Sequence, residues 1–155
     1  KTTTIYVTHD QTEAMSMADR MAVMYGGEIV QYDVPPEISV TPATRFVGGF
    51  IGNPPMNFIT HPEVQVAMDC VAPGPGLTLG IRPEDLEIVV HGGLEISARV
   101  VEMLGASQQV NTRVGDELLR VCTGAQPTVA PDQRLRVRAR PGCARWYDAQ
   151  GQLRA

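Results

Sequence analysis

The chain lacks any apolar run that approaches the roughly 20 residues of a membrane-spanning helix. It is also poor in aromatic residues, with three Phe, four Tyr and one Trp among 155 residues. So few rings do not form the stacking platform with which proteins bind single-stranded nucleic acids. The formal net charge of −4 also disfavours a nucleic-acid partner. We therefore expect no direct membrane insertion and no binding of DNA or RNA.

Cysteine is scarce as well. Cys70, Cys122 and Cys143 are odd in number and far apart, with no Cys-x-x-Cys pair and no clustered histidines beside them. A disulfide framework or a zinc site would need closer and more regular spacing, so we expect three reduced thiols and no bound metal. The start of the chain also lacks the basic and apolar regions of a secretory signal, which favours an interior compartment.

The phosphate-binding loop Gly-x-x-x-x-Gly-Lys-Ser/Thr is absent from the sequence. In nucleotide hydrolases, the backbone N–H groups of this loop cradle the phosphates and its hydroxyl binds magnesium. The sequence also has no apolar strand that ends in paired acidic residues. We therefore do not expect this chain alone to hydrolyse ATP.

The segment at the N-terminus carries the first candidate site. Thr2–Val7 is rich in β-branched and aromatic residues, which predicts a buried strand. His9 then lies at the carboxyl end of that strand, where open α/β sheets bind their ligands. From its position alone, the imidazole either contacts a nucleotide phosphate or merely helps to cap the next helix.

A helix is predicted directly after His9. Either Thr8 with Gln11 or Asp10 with Glu13 supplies the pairing of a capping box. Several apolar residues then recur at helical spacing and predict one buried face. These residues are Ala14, Met17, Ala18 and Met21. A single strand and helix cannot bury their own apolar faces, so we expect a partner or the rest of the chain to cover them.

Short elements follow the first helix. Met21–Tyr25 and Glu28–Tyr32 flank Gly26–Gly27, which predicts a tight hairpin. Pro35–Ile38 is suited to open a short helix, because proline is tolerated in a first turn. Ala43–Phe50 predicts one more short helical segment.

A domain boundary is predicted near residue 52, where Gly, Asn and two Pro residues interrupt the pattern. Beyond it, short strands separated by turns predict a small barrel or sandwich. Along Leu94–Leu104 the apolar alternation slips by one residue, as expected where a bulge bends a strand around a barrel. The predicted strands are Leu77–Ile81, Leu86–Val90, Leu94–Leu104, Gln109–Val114, Leu118–Cys122 and Leu135–Ala139.

Four arginines alternate with apolar residues near the C-terminus. The period is that of a strand with one apolar and one basic face. Such a face is either a solvated strand surface or a docking surface for an acidic partner. The arginines are Arg134, Arg136, Arg138 and Arg140.

Three ordered motifs carry a family resemblance. Val7–Gln11 reads Val-Thr-His-Asp-Gln, Phe46–Phe58 contains Gly-Phe-Ile-Gly-Asn-Pro-Pro-Met-Asn-Phe, and Leu79–Leu86 reads Leu-Gly-Ile-Arg-Pro-Glu-Asp-Leu. With these motifs the chain resembles the C-terminal part of the ATP-binding subunits of ABC transporters, in the sugar-importer branch of the maltose and glycerol-3-phosphate type. The resemblance covers nearly the whole chain and weakens after about Thr123.

The resemblance implies a mainly β fold. An OB-like TOBE barrel or sandwich of short antiparallel strands, residues 53–155, would follow an α/β remnant of the nucleotide-binding domain, residues 1–52. In the family, the Walker A, signature and Walker B motifs precede the histidine, and all three are missing here. The fragment alone would then bind no cofactor, whereas the full subunit uses ATP and Mg²⁺.

The family's site residues and partners are implied in the same way. His9 matches the switch (H-loop) histidine, which contacts the terminal phosphate of ATP. The subunits of the family form homodimers and bind the transmembrane permease subunits. They are cytoplasmic and peripheral on the inner face of the bacterial cell membrane. Selectivity for the transported solute belongs to the permease and its binding protein.

The tripeptide Arg82-Pro83-Glu84 allows two interpretations. Structurally, proline fixes a turn while the flanking charges pair or bond to backbone carbonyls. Functionally, the resemblance implies that the accessory domain makes regulatory and dimer contacts through these residues.

Two other functions compete with the family interpretation. A stand-alone OB-like module could bind a small oxyanion or polar ligand without ATP, but such a module would not need Val7–Asp19. An oligonucleotide-binding OB domain is disfavoured by the acidity and by the scarcity of aromatic residues.

Overall fold

The computed structural model of the chain describes residues 2–154. The segment up to residue 52 contains three short helices and one hairpin. Its elements are α1 (Gln11–Met17), β1 (Met21–Tyr25), β2 (Glu28–Asp33), α2 (Pro35–Val40) and α3 (Arg45–Phe50).

The remainder, up to residue 154, is built from short strands, one α-helix and a 3₁₀ helix at Pro83–Asp85. Its elements are β3 (Asn57–Ile59), α4 (Pro62–Ala67), β4 (Thr78–Ile81), β5 (Leu86–Val89), β6 (Leu94–Ser97), β7 (Val100–Met103), β8 (Ser107–Val114), β9 (Glu117–Gly124), β10 (Arg134–Ala139), β11 (Arg145–Tyr147) and β12 (Leu153–Arg154). The strands form three antiparallel sheets in the orders β5-β10-β6, β12-β11-β4-β3 and β7-β8-β9. The predicted mainly β, OB-like fold is confirmed.

The bend predicted within Leu94–Leu104 falls at Ala98 and Arg99. On one side, β6 pairs with β10, and on the other, β7 pairs with β8. The N–H of Ala98 donates to the Gln133 carbonyl, whereas the N–H of Arg99 donates to the Asn111 carbonyl. The chain therefore passes from one sheet to the next at this point. All three sheets share one core, whose fully buried members include Leu79, Ile81, Leu86, Val110, Leu119, Val121 and Val137.

The predicted strand Thr2–Val7 is wrong. Residues 2–7 have no regular structure, and Ile5 and Val7 are about nine-tenths exposed, at 91% and 90%. A strand forms only where another strand can take its N–H and C=O groups, and within residues 2–154 no strand pairs with this segment. His9 consequently does not lie at the carboxyl end of a strand.

Helix α1 begins as the sequence predicts, at the N-cap Asp10, whose side chain accepts from the backbone N–H groups of Thr12 and Glu13. The second bond of a capping box, from the N–H of Asp10 to the Glu13 carboxylate, is not formed. The N–H of Asp10 donates to Thr8 Oγ1 over 2.9 Å, and the Glu13 carboxylate accepts from Thr8 and from the Tyr6 hydroxyl. Thr8 therefore replaces the carboxylate as the partner of the N-cap backbone.

The buried face predicted for α1 is also wrong. Ala14 and Met15 pack against the small core of the first segment, whereas Met17 is 73% exposed. Helix α1 ends after seven residues at the extended Ala18, so Ala18 and Met21 do not lie on it, and Met21 is buried from β1 instead. That small core consists of Met21, Val23, Ile38, Val47 and Ile51.

The hairpin and both later helices of the first segment are confirmed. Gly26 and Gly27 have φ of +60° and +86°, which allows the tight turn between β1 and β2. Helix α2 begins with Pro35 in its first turn, and the Thr44 side chain caps α3 by accepting from the N–H of Val47. Local sequence signals therefore define these elements.

Strands β11 and β12 bring the C-terminal part of the chain back to the first segment. The N–H of Arg45 donates to the Gly151 carbonyl, and the N–H of Leu153 donates to the Ala43 carbonyl. The fully buried Tyr147 donates its hydroxyl to the Pro42 carbonyl over 3.1 Å. Burial raises the pKa of Tyr147 to about 12, so this hydroxyl remains a donor. The division near residue 52 stays a prediction, and many contacts cross it.

A buried glutamine holds the loop after β9. Gln108 is fully buried, donates to the carbonyls of Gly124 and Pro127, and accepts from the N–H of Val129. Satisfying three backbone groups offsets the free energy cost of burying an amide. The loop around residues 126–128 is therefore anchored to the barrel.

Arg134, Arg136 and Arg138 lie on one exposed face of β10, whereas Arg140 follows the end of the strand. Arg134 and Arg136 pair with Glu95 on β6, and Arg138 pairs with Glu87 on β5. The apolar residues between them are buried. These cross-strand pairs favour the interpretation of a solvated strand face.

Within residues 2–154, no helix is both long enough and apolar enough to cross a membrane.

Candidate functional site

His9 lies in the loop directly before α1, and its side chain is exposed. It opens onto a cleft of about 930 Å³ between the first turns of α1 and the segment from Gly49 to Pro55. Because Asp10 supplies the N-cap, the imidazole is not needed to cap the helix. The side chain is therefore available to a ligand in this cleft.

Gln11 fixes this loop to the end of the first segment. Its Oε1 accepts from the N–H of Gly52 over 3.0 Å, and its Nε2 donates to the carbonyl of Phe50. The side chain thus bonds to two backbone groups as a neighbouring strand would. Sequence reasoning placed Gln11 only in a capping pair and missed this role, because the contact joins residues 41 positions apart.

Arg82 is buried, with 5% of its surface exposed, and bonds only to backbone carbonyls among the residues described. Nε and Nη2 donate to Ser39 in the last turn of α2, and Nη1 donates to Gly48 and Ile51 at the end of α3. The last carbonyls of a helix lack partners and carry partial negative charge. One guanidinium therefore caps two helices.

Burial lowers the pKa of Arg82, while the carboxylates of Glu84 and Asp85 act in the opposite direction. An arginine keeps its charge under these conditions because its ordinary pKa is above about 12. Pro83 is buried and Glu84 is exposed. The prediction of a regulatory or dimer contact stays a prediction, and Glu84 is the member of the tripeptide that lies at the surface.

The backbone of Gly52 lies against the guanidinium of Arg82. Its φ is +105°, in the left-handed region that favours glycine, and a Cβ would lie 2.6 Å from Arg82 Nη1. A residue with a side chain would therefore displace the guanidinium.

A second cleft, of about 860 Å³, lies between β5, the end of β9 and the loop that follows it. Its charged lining residues are Glu84, Glu87 and Arg140. Two carboxylates against one arginine form a poor environment for an anion. This cleft therefore does not favour the oxyanion-binding module.

His61 forms a cluster of charged groups with Asp116 and Glu63. Its Nε2 lies 3.1 Å from Asp116 Oδ1 and its Nδ1 lies 3.6 Å from Glu63 Oε1. The hydrogen bond to Asp116, followed by the charges of Glu117 and Glu63, raises the pKa of His61 despite partial desolvation. The cluster joins the start of α4 to the turn between β8 and β9.

We expect His61→Gln to destabilise the chain only at low pH. The folded state raises the pKa of His61 above its ordinary value of 6.5, so folding favours the imidazolium. This stabilisation is fully present below about pH 6.5 and is lost as the pH rises through the folded pKa. Thermal unfolding midpoints of the two proteins should differ at about pH 5.5 and coincide at about pH 8.5. A difference that does not change with pH would contradict this linkage.

Within residues 2–154, no group of three or more His, Cys, Asp or Glu side chains is arranged to hold a metal ion. Cys70 is buried, and desolvation raises its pKa to about 11. Its sulfur therefore stays protonated at neutral pH and is a poor nucleophile.

The mainly β fold agrees with the resemblance to the C-terminal part of an ABC importer's ATP-binding subunit. No family model matches the chain. Sequence similarity gives the family directly: the chain belongs with the ATP-binding subunits of ABC importers and matches their C-terminal part.

Three relatives illustrate the match. The sn-glycerol-3-phosphate import ATP-binding protein UgpC of Rhizobium meliloti (strain 1021) is 40% identical over 97% of this chain and 46% of its own length. UgpC of Cereibacter sphaeroides is 39% identical over 97% and 46%, and UgpC of Cupriavidus metallidurans is 36% identical over 97% and 47%. The chain spans about half the length of the curated relatives it matches.

Proposed function

We propose that the chain works as part of an ATP-hydrolysing subunit of a bacterial importer for a sugar or a similar polar solute, such as glycerol 3-phosphate. The observation that carries this proposal is the 36–40% identity, over 97% of the chain, to ATP-binding proteins for glycerol-3-phosphate import. The importer would supply transmembrane permease subunits, and two ATP-binding subunits would form a homodimer at the inner face of the membrane.

In this proposal His9 is the switch residue that contacts the terminal phosphate of ATP. Its exposure, its position beside the cleft and its freedom from helix capping support this role. A neutral imidazole can donate from one ring nitrogen and accept at the other, which suits a group that senses a phosphate and its attacking water. ATP bound to the full subunit would supply the phosphate.

The two parts of the chain would then have separate tasks. Residues 1–52 would complete the nucleotide-binding domain, and residues 53–155 would form the regulatory TOBE domain. The exposed Glu84 would be the surface contact of this domain, while the buried Arg82 and Pro83 hold its turn.

We expect His9→Ala to reduce ATP turnover by the full-length subunit with its permease at least about 100-fold, a typical effect of losing a group that acts on the transferred phosphate. Nucleotide binding should be retained, because binding rests mainly on the phosphate loop of the full subunit. Steady-state phosphate release and equilibrium nucleotide binding measure the two effects separately. His91→Ala is the matched control, because His91 is also an exposed loop histidine.

If turnover by His9→Ala equals that of the wild type, His9 has no role in hydrolysis. If both histidine variants lose turnover equally, the effect is not specific to the loop before α1. Loss of turnover in His9→Ala alone, with binding retained, supports the switch.

A further inference from the structure

A single peptide group, between Ile51 and Gly52, is held on both sides by side chains from distant parts of the chain. Its N–H donates to Gln11 Oε1 over 3.0 Å, and its carbonyl accepts from Arg82 Nη1 over 2.5 Å. A peptide group is planar, and in the trans form its N–H and C=O point in opposite directions. Rotation of this plane therefore disturbs both bonds at once.

Electrostatic polarisation joins the two bonds more closely. The positive guanidinium of Arg82 draws electron density toward the Ile51 carbonyl, which makes the N–H of Gly52 a stronger donor to Gln11. Loss of either side chain should therefore weaken the bond made by the other.

On one side, the peptide group is tied to the loop of His9. Gln11 is the first residue of α1 and follows His9 by two positions. Because its amide also donates to the Phe50 carbonyl, it holds both backbone groups that flank Ile51. The backbone at His9 cannot move away from the end of α3 without breaking these bonds.

On the other side, the peptide group is tied to the barrel. Arg82 directly follows β4, and its guanidinium is buried against the ends of α2 and α3. Ile51 itself is 2% exposed and belongs to the small core of the first segment. A shift of β4 relative to that core would therefore pull on the Ile51 carbonyl.

We propose that the Ile51–Gly52 peptide is a mechanical link that makes the orientation of His9 depend on the position of the barrel. Gln11 is the positioning residue on the nucleotide side, and Arg82 is its counterpart on the barrel side. The link rests on the proposed function, because it can affect hydrolysis only if His9 contacts the nucleotide. The bonds themselves exist without nucleotide and can be tested in this chain alone.

The test is hydrogen exchange of assigned amide and guanidinium groups, measured by NMR on the isotope-labelled chain. Gln11→Ala should raise the exchange rate of the Gly52 N–H about tenfold and also raise that of the Arg82 Nη1–H, which donates to the Ile51 carbonyl. Arg82→Lys keeps the positive charge but removes the several N–H donors of the guanidinium. It should raise exchange of the Gly52 N–H and also of the Thr12 N–H, which donates to the N-cap Asp10 next to His9.

Gln31→Ala is the matched control. Like Gln11, the Gln31 side chain bonds to the two backbone groups that flank one residue, since it donates to the Thr41 carbonyl and accepts from the N–H of Ala43. It shares no peptide group with Arg82. Gln31→Ala should therefore speed exchange of the Ala43 N–H and leave exchange of the Gly52 N–H and the Arg82 Nη1–H unchanged.

The link is overturned if Gln11→Ala leaves exchange of the Arg82 Nη1–H unchanged, or if Gln31→Ala changes it as strongly as Gln11→Ala does. In the full-length subunit, Gln11→Ala should lower kcat about tenfold with the KM for ATP within about twofold, since only the orientation of His9 changes. If Gln11→Ala speeds exchange at both Gly52 and Arg82, but neither Gln11→Ala nor His9→Ala changes kcat, the link is retained and the switch function of His9 is rejected. If His9→Ala loses kcat, but Gln11→Ala does not change exchange at Arg82, the switch function is retained and the link is rejected.

Discussion

Replacing Arg82 by Met should reduce the free energy of unfolding by about 3–5 kcal/mol, a large share of the stability of a small protein. Methionine fills much of the same volume but donates no hydrogen bond. The carbonyls of Ser39 and Ile51 would then be left without the donor that satisfies them, and each buried unsatisfied carbonyl costs about 1–3 kcal/mol. Urea unfolding followed by circular dichroism measures the change.

Arg136→Met is the control for this experiment. Arg136 is also an arginine that bonds to an acceptor on a neighbouring element, since it pairs with Glu95, but its side chain is 44% exposed. Exposed ion pairs contribute about 0–1 kcal/mol, so the control should unfold close to the wild type. Equal destabilisation by the two variants would show that burial of the Arg82 guanidinium is not what stabilises this region.

Gly80→Ala should destabilise the chain by about 3 kcal/mol through overpacking. A Cβ at this position in β4 would lie 2.5 Å from Cε2 of Tyr147 and 2.9 Å from Sδ of Met56. The Tyr147 ring cannot move aside easily, because its hydroxyl donates to the Pro42 carbonyl and the ring forms a T-shaped pair with Phe58. Calorimetric unfolding should show a lower midpoint and a lower enthalpy.

Gly124→Ala is the matched control, because Gly124 is also a strand glycine. The nearest atom to its added Cβ would be 3.7 Å away, an ordinary van der Waals contact. We expect a change of less than about 0.5 kcal/mol. If Gly80→Ala were as well tolerated as Gly124→Ala, the Tyr147 ring would have to be mobile.

The sequence predicted those elements whose signals are local. Gly26–Gly27 requires positive φ and so marks the hairpin, and Asp10 supplies a side-chain acceptor for free N–H groups and so starts α1. Apolar alternation identified most barrel strands, because each has one face in the shared core. Thr2–Val7 has equally strong strand composition, yet composition does not supply a hydrogen-bonding neighbour.

The candidate site was predicted only in part. His9 stands out by its motif, but the bonds that position it depend on tertiary contacts between Gln11, Arg82 and residues 50–52. A glutamine in a capping pair and an arginine before proline carry no local sign of such partners. Strands β11 and β12, of three and two residues, are similarly too short to show a period.

The return of β11 and β12 to the first segment also affects the order of folding. Tyr147 and Arg145 bond to Pro42 and Val40 across 105 residues, so the entropy of closing this loop must be overcome before either contact stabilises the chain. Contacts of such high sequence separation slow folding. On the ribosome, α2 and α3 emerge long before residues 145–153 are made, and until then the backbone of Ala43 and Arg45 lacks its partners. A nascent chain would therefore expose this surface to chaperones until synthesis reaches β12.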